Sequence, residues 1–189
     1  AGRILKPDGT LYIPEGYAYS LIYIDKVGED TFGKYGAGIY NGYYNFGKLQ
    51  DEGDYILRLI PMGDDNPYTA SEPVIVHFSP DETVVQDLVY TSPMLKGNIL
   101  SPDGKSLGGN VAGIEVELRS VEEPYKVENK TVVNKDGSYS IGGVPSGTYI
   151  LKAINYDIFK SPYCDSMETK IILDEKGIIT KDIKLSNPQ

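Results

Sequence analysis

Side chains that could act as nucleophiles or general bases are sparse in this sequence. The chain holds one histidine, His77, and one cysteine, Cys164, and no Gly-x-Ser-x-Gly motif accompanies them. His77 lies in a short apolar run, residues 74–78. Val74, Val76 and Phe78 share one face of the predicted strand, so His77 points to the other face. One histidine and one cysteine also cannot build a typical zinc site. We therefore predict that the protein is not an enzyme.

Carboxylates are the most numerous groups that could bind an ion. The chain carries 27 acidic and 18 basic residues, for a formal net charge of −9. Two loops of its first half concentrate the acids, and carboxylate oxygens are ligands that Ca²⁺ prefers. No EF-hand pattern is present, and acidic turns also serve turn geometry and solubility. Calcium is the one cofactor that the sequence suggests, and its candidate ligands are Asp51, Glu52, Asp54, Asp64 and Asp65.

A stretch rich in tyrosine and glycine, residues 35–44, is the most unusual local feature. Tyrosine is enriched at protein interfaces, and an exposed strand can pair with a neighbouring chain. Tyrosine rings also stack on sugars, although the chain has no tryptophan for the largest stacking face. A tyrosine-lined hairpin that only fills the sheet is the remaining interpretation. The candidate contact residues are Tyr35, Tyr40, Tyr43 and Tyr44.

The acidic balance excludes two classes of partner. A protein of net charge −9 without a basic stripe repels phosphate backbones, so we expect no nucleic acid. Anionic membrane surfaces are disfavoured for the same reason, and no apolar run is long enough to insert into a bilayer. The sequence starts at Ala1 and shows no signal peptide, which fits both a mature exported protein and an excised fragment.

The elements that position these residues occur twice along the chain. Gly-x-Ile-Leu-x-Pro-Asp-Gly begins at Gly2 and again at Gly97, and Gly-x-Tyr-Ile-Leu begins at Gly53 and again at Gly147. Repeats about 95 residues apart indicate the duplication of a whole domain rather than a solenoid unit. We predict a tyrosine-rich acidic domain at residues 1–92 and a second domain at residues 93–189.

Each half has about seven strand candidates and no convincing helix. Asn41-Gly42 and Asp136-Gly137 are the residue pairs that favour tight hairpin turns. Short alternating runs, separated by turn signals at regular intervals, are typical of a sandwich. We therefore predict an all-β protein made of two tandem antiparallel β-sandwiches.

The order of these motifs also resembles a known family. Gly-x-Ile-Leu-x-Pro-Asp-Gly, then Asp-Gly-x-Tyr-x-Ile, then Gly-x-Tyr-x-Leu is similar to carboxypeptidase-regulatory-like domains and to the B-type repeats of Gram-positive collagen adhesins. The resemblance covers nearly all of residues 95–185 and is fainter over residues 1–90. It implies Ig-like, transthyretin-like β-sandwiches and a non-catalytic role on a secreted or surface protein.

Adhesin repeats of this type often hold an internal Lys–Asn or Lys–Asp isopeptide bond that a buried acid promotes. The resemblance puts Leu59 and Ala153 where that acid would stand. Lys6 and Asp87 could be reactive partners in the first half, but without the acid the chemistry lacks its proton shuttle. We therefore predict that no such bond forms.

Together these observations predict a non-catalytic extracellular or cell-surface module. It would be a stalk, a spacer, an adhesive unit or a subunit of a surface assembly, with protein as its partner through self-assembly or a surface contact. The alternative is a pair of carbohydrate-binding modules from a secreted polysaccharide-degrading enzyme, with polysaccharide as the partner. The first half is the better candidate for specific contacts, because it departs from the generic pattern.

Overall fold

The computed structural model describes residues 1–14, 19–29, 31–47, 49, 51–62, 66–107, 111, 113–123, 126–156, 162–174 and 176–188. The chain divides into two compact units, Ala1–Ser92 and Pro93–Gln189. Every regular element among the described residues is a β-strand, so the predicted all-β class is confirmed. In the same residues no helix has the length and hydropathy needed to cross a membrane.

Unit 1 contains one continuous seven-stranded sheet, in the order β6-β5-β2-β3-β4-β1-β7. Neighbouring strands are antiparallel except β1 and β7, which are parallel. The strands are β1 (Gly2–Leu5), β2 (Tyr19–Lys26), β3 (Tyr35–Tyr40), β4 (Tyr43–Tyr44), β5 (Gly53–Met62), β6 (Val74–Phe78) and β7 (Leu88–Val89).

The core of unit 1 follows from the alternation of its strands. Ile4, Ile22 and Leu59 are each 0% exposed, because successive side chains of a strand point to opposite faces and one face packs inward. The valines of β6 are half-buried and His77 is exposed, as the alternation predicts. The sequence predicts a longer last strand, from residue 83 to residue 90, whereas the regular strand that forms is β7 alone.

Unit 2 is built from two sheets, with orders β10-β9-β12-β14 and β11-β8-β16-β13, and β15 also pairs with β8. Leu95, Ile99, Ile114, Val116 and Leu118 are 0% exposed in its core. The strands are β8 (Leu95–Leu100), β9 (Ile114–Ser120), β10 (Val127–Val132), β11 (Ser138–Ile141), β12 (Gly147–Asn155), β13 (Cys164–Ser166), β14 (Thr169–Leu173), β15 (Ile179–Thr180) and β16 (Ile183–Ser186).

The repeated motifs of the sequence produce repeated hydrogen bonds. In unit 1 the main-chain N–H of Leu59 donates to Ser71 Oγ at 3.0 Å. In unit 2 the N–H of Ala153 donates to Ser166 Oγ at 2.9 Å. Both serines are buried, and their hydroxyls satisfy a strand N–H that would otherwise lack a partner in the core. The duplication is therefore one of structure as well as of sequence.

The two units differ in the hairpin that follows β3 and β10. In unit 1 the turn consists of Asn41 and Gly42, with φ of 50° and 79°, the left-handed pair of a type I′ turn. In unit 2 the hairpin has a longer turn. The N–H of Asn134 donates to the carbonyl of Ser138 at 2.9 Å, across a loop that ends at Gly137 with φ of 89°. One extra loop residue therefore shifts the alignment of the repeats at this point.

Candidate functional site

Two exposed tyrosines lie side by side on the β3–β4 hairpin. Tyr40 and Tyr43 are cross-strand partners and are 81% and 53% exposed. The two-residue turn sets this register, because a type I′ turn pairs the residues that flank it. Tyr44 then points inward, since the next residue of a strand faces the opposite side. The hairpin therefore presents two adjacent rings on the outer face of the sheet.

The next strand of the sheet adds a charged pair to these rings. Arg3 on β1 is the cross-strand partner of Tyr43. Its Nε and Nη2 atoms lie 3.0 Å and 2.5 Å from Oδ2 of Asp87, and its main-chain N–H donates to Oδ1 at 2.8 Å. Tyr40, Tyr43, Arg3 and Asp87 thus form one line across strands β3, β4 and β1 to the residue before β7, and we call this line the tyrosine–arginine row.

Hydrogen bonding keeps the charged pair of the row ionised. The hydrogen bonds from the Arg3 side chain and main chain hold the pKa of Asp87 below its usual range. The hydrogen bond and the charge of Asp87 in turn raise the pKa of Arg3. The two groups neutralise each other locally, so the row offers rings and a planar guanidinium on a face with little net charge.

The equivalent line in unit 2 has a different chemistry. Asn134 Nδ2 donates to Ser138 Oγ at 3.0 Å, and Ser138 is the cross-strand partner of Asn98. The main-chain N–H and Nδ2 of Asn98 donate to Asp182 Oδ1 at 2.8 Å and 3.1 Å. The acid is retained, but short polar side chains stand where unit 1 has two tyrosines and an arginine. The tyrosine–arginine row is therefore specific to unit 1.

The other two tyrosines predicted to make contacts lie outside this row. Tyr44 is 4% exposed and donates its hydroxyl to the carbonyl of Gln86 at 2.5 Å, so it belongs to the core. Its assignment as a contact residue was wrong, because a buried ring cannot reach a partner. Tyr35 is 39% exposed, with Lys34 Nζ 5.5 Å from its ring centroid and the ring of Phe46 6.2 Å away.

Two of the acids proposed as calcium ligands face the single histidine. Nδ1 of His77 lies 2.8 Å from Asp54 Oδ1, and Nε2 lies 3.7 Å from Glu52 Oε1. The hydrogen bond that the His77 ring donates to Asp54 raises the pKa of His77, and the charges of both acids add to this effect. These carboxylates therefore surround a basic ring on the exposed face of β6.

Of the remaining calcium candidates, the structure describes only Asp51. The main-chain carbonyl of Asp51 accepts the hydroxyl of Tyr55 at 2.8 Å, while Asp64 and Asp65 lie outside the described residues. Within the described part of the chain, no three or more His, Cys, Asp or Glu side chains are grouped so that they could hold a metal. Calcium binding stays a prediction.

Sequence reasoning missed Arg3 as a member of the site, although a signal was present. The motif that opens each half carries Arg3 in the first copy and Asn98 in the second, and only the sheet order brings this position beside Tyr43. The carboxylate of Asp87, which the sequence suggested as a partner of Lys6, is instead engaged by Arg3.

No protein-family model matches this chain, and no curated protein sequence matches it either. Solved structures with a similar fold include several Gram-positive pilins. GBS52, the minor pilin of Streptococcus agalactiae, is 15% identical with a TM-score of 0.38, covering 100% of this chain and 96% of that one. Shaft pilin SpaA of Lactobacillus rhamnosus GG is 9% identical with a TM-score of 0.36, covering 100% and 96%.

The TIE protein of Bacillus anthracis is also similar to this chain, with 14% identity and a TM-score of 0.35 over 98% of this chain. This chain spans only 33% of the length of the TIE protein.

Proposed function

We propose that this protein is a non-catalytic structural subunit of an extracellular or cell-surface assembly, and that it binds a second copy of itself through the tyrosine–arginine row. The observation that carries the proposal is the difference between the two units. Unit 1 displays Tyr40, Tyr43 and Arg3, where unit 2 displays short polar side chains that satisfy one another. Because the two units otherwise share one duplicated fold, we infer that specific binding resides on this face of unit 1, where the two copies differ.

The residue types of the row support a protein partner. Tyrosine and arginine are enriched among the residues that dominate binding energy at protein interfaces. A tyrosine ring offers a large amphipathic contact area and orders only two side-chain torsions on binding. The main-chain and side-chain bonds to Asp87 already orient Arg3, which lowers the entropy that binding must overcome.

The shape of the row also favours a protein surface over a small ligand. The row runs across strands β3, β4 and β1 to the residue before β7, on the exposed face of a sheet. Binding sites for small molecules are usually concave and bury most of the ligand. A sheet face instead suits another flat surface, as in a subunit contact.

The location and the absence of catalysis rest on the resemblance to adhesin repeats. Those repeats are extracellular modules without catalytic activity, and their motifs recur here in the same order. The finer assignment to the transthyretin-like, carboxypeptidase-regulatory-like type is part of the same proposal.

The proposal is tested by giving unit 1 the row of unit 2. We expect the wild-type chain to form concentration-dependent oligomers in sedimentation velocity, and the triple variant Tyr40→Asn, Tyr43→Ser and Arg3→Asn to stay monomeric with an unchanged melting temperature. The matched control is Ile75→Ser, which removes a side chain that is 64% exposed in unit 1 but lies outside the row. This variant should oligomerise like the wild type.

Two outcomes would contradict the proposal. A wild-type chain that stays monomeric at every concentration removes self-assembly, and a triple variant that oligomerises normally removes the row as the contact. Binding on a polysaccharide array that the triple variant loses would favour the carbohydrate-binding alternative, with the same row as its site.

A further inference from the structure

The four side chains of the tyrosine–arginine row follow one another in a fixed chemical order. Tyr40 pairs with Tyr43, Tyr43 pairs with Arg3, and Arg3 binds Asp87. One half of the row is therefore aromatic, and the other half consists of a cation followed by an anion. Adjacent strands lie about 4.8 Å apart, so the row spans roughly 14 Å across the sheet.

The charged half of the row can bind a partner although its two side chains already bind each other. Nε and Nη2 of Arg3 contact Oδ2 of Asp87 through the edge of the guanidinium, and the Arg3 side chain is 56% exposed. A guanidinium that is bound through its edge can still stack its face on an aromatic ring. Oδ1 of Asp87 accepts the main-chain N–H of Arg3, and a carboxylate oxygen has room for a second hydrogen bond.

A second copy of the chain can face this row in two arrangements that have a two-fold axis. If the axis runs along the row, each side chain meets its own counterpart, so Arg3 faces the partner's Arg3 and Asp87 faces the partner's Asp87. Like charges that face each other across an interface are costly. If the axis is perpendicular to the row, the order of the second row is reversed and unlike side chains meet. Charge therefore favours the reversed arrangement.

In the reversed arrangement each side chain of the row meets a group that it can bind. Tyr43 of each copy faces the partner's Arg3, whose guanidinium stacks on the ring as a cation–π contact. Tyr40 of each copy faces the partner's Asp87, and its phenol donates to the carboxylate, an ionised acceptor that makes strong hydrogen bonds. The row is therefore complementary to its own reverse.

We propose that the tyrosine–arginine row joins two copies of the chain as a closed two-fold pair, with Tyr43 stacked on the partner's Arg3 and Tyr40 bonded to the partner's Asp87. This inference rests on the proposed function and adds the geometry of the contact. An interface in which both copies use the same patch closes on itself. The row thus joins two chains, and any longer assembly requires a contact elsewhere on the chain.

The equivalent line of unit 2 lacks the side chains for this contact. Its reversal would place Asn134 against the partner's Asp182, and Ser138 against the partner's Asn98. These four residues supply neither a ring nor a cation, and they already hydrogen-bond within the unit. The two-fold pair is therefore a property of unit 1.

Two defective variants that complement each other test the reversed arrangement. Tyr43→Ser removes both Tyr43–Arg3 contacts from a pair of identical chains, and Arg3→Asn removes the same two contacts. A mixed pair keeps one of them, because the Arg3 of the first variant faces the Tyr43 of the second. After correction for the statistical advantage of mixing, the dissociation constant of the mixed pair should be at least about threefold below the geometric mean of the two identical-chain pairs.

Cys164 in unit 2 is exposed and provides a labelling site outside the row. One variant carries a fluorophore there, and sedimentation velocity with fluorescence detection follows it as the unlabelled second variant is added. The matched control mixes Tyr40→Asn with Tyr43→Ser. These changes remove different contacts, so this mixed pair should bind no more tightly than the mean of its identical-chain pairs. A gain of affinity on mixing requires that both variants fold, so a folding defect cannot imitate it.

The outcomes separate this inference from the proposed function. If the wild-type chain associates but the complementing variants gain no more than the control mixture, the reversed pair is wrong and the row remains the contact. Wild-type complexes that grow beyond two copies, and that the triple variant reduces to monomers, would also overturn the closed pair. A wild-type chain that binds polysaccharide but no second copy overturns the self-contact on which both proposals depend.

Discussion

Tyr44 and Tyr139 make the same hydrogen bond in the two units. Each phenol donates to a main-chain carbonyl at 2.5 Å, that of Gln86 in unit 1 and that of Lys181 in unit 2. Burial raises the pKa of Tyr44 to about 12 and that of Tyr139 even further. Each bond connects the strand that follows the hairpin turn to the C-terminal segment of its unit.

Removing either phenol should weaken its unit. Tyr44→Phe and Tyr139→Phe each remove the donor of a partly buried hydrogen bond to a main-chain carbonyl, so each should lower the free energy of unfolding by about 1 kcal/mol. Denaturant unfolding measures this loss. Tyr43→Phe is the matched control, because Tyr43 is 53% exposed and should change nothing. Equal stabilities of all three variants would show that the two bonds contribute little.

Glycine at the start of each repeat allows two strands to approach closely. A Cβ on Gly97 would lie 1.9 Å from the carbonyl oxygen of Lys181, and one on Gly2 would lie 1.8 Å from that of Gln86. Gly97→Ala should therefore destabilise unit 2 by about 1–3 kcal/mol or more, because backbone must move. Gly38→Ala, where no atom lies within 4 Å of the added Cβ, should leave thermal melting unchanged. A Gly97→Ala variant as stable as Gly38→Ala would refute this reason for the motif.

A buried ion pair anchors the loop between β2 and β3. Asp25, which is 1% exposed, accepts from the main-chain N–H groups of Gly33 and Lys34 at 2.9 Å each and lies 3.4 Å from Arg58 Nη1. Asp25→Asn removes a buried negative charge that faces the buried guanidinium of Arg58, so the free energy of unfolding should fall by about 3–5 kcal/mol.

The control for this ion pair is Glu29→Gln, which removes an exposed partner of Lys34. Exposed ion pairs contribute little to the free energy of unfolding in water, so urea unfolding should not distinguish this variant from the wild type. If Asp25→Asn behaves in the same way, the buried pair does not anchor the loop.

His77 should titrate above its ordinary pKa of 6.5 because Asp54 and Glu52 stabilise its charged form. A group whose pKa is raised by folding stabilises the protein fully below its unfolded pKa, and this contribution is lost as pH rises through the folded value. NMR titration of the His77 ring checks the pKa. Asp54→Asn should lower it, whereas Glu128→Gln in unit 2 should not.

The same titration tests calcium. Ca²⁺ bound by Glu52 and Asp54 would compete with the charged ring and lower the pKa of His77. A titration curve that is identical with Ca²⁺ and with chelator would exclude these two carboxylates as ligands.

Local sequence was enough to predict the strands and the turns that join them. Asn41-Gly42 adopts the left-handed turn that its residue types favour, and the outward orientation of His77 follows from alternation along β6. Both depend on neighbours in sequence, where steric rules act directly. The end of unit 1 was predicted less well, because a regular strand also needs a partner along its whole length, and the regular pairing with β1 is confined to Leu88 and Val89.

The sequence by itself determined the class of the fold and the duplication, because alternation, turn pairs and repeated motifs are properties of the chain's order. Only the tertiary structure decided which tyrosines are exposed and which side chains join them. Tyr43 and Tyr44 are neighbours in the chain, yet one is exposed and the other is buried. Arg3 and Asp87 come from opposite ends of the sequence of unit 1, and the sheet brings them together in the row. Sheet order is set by packing of the whole unit rather than by local residues.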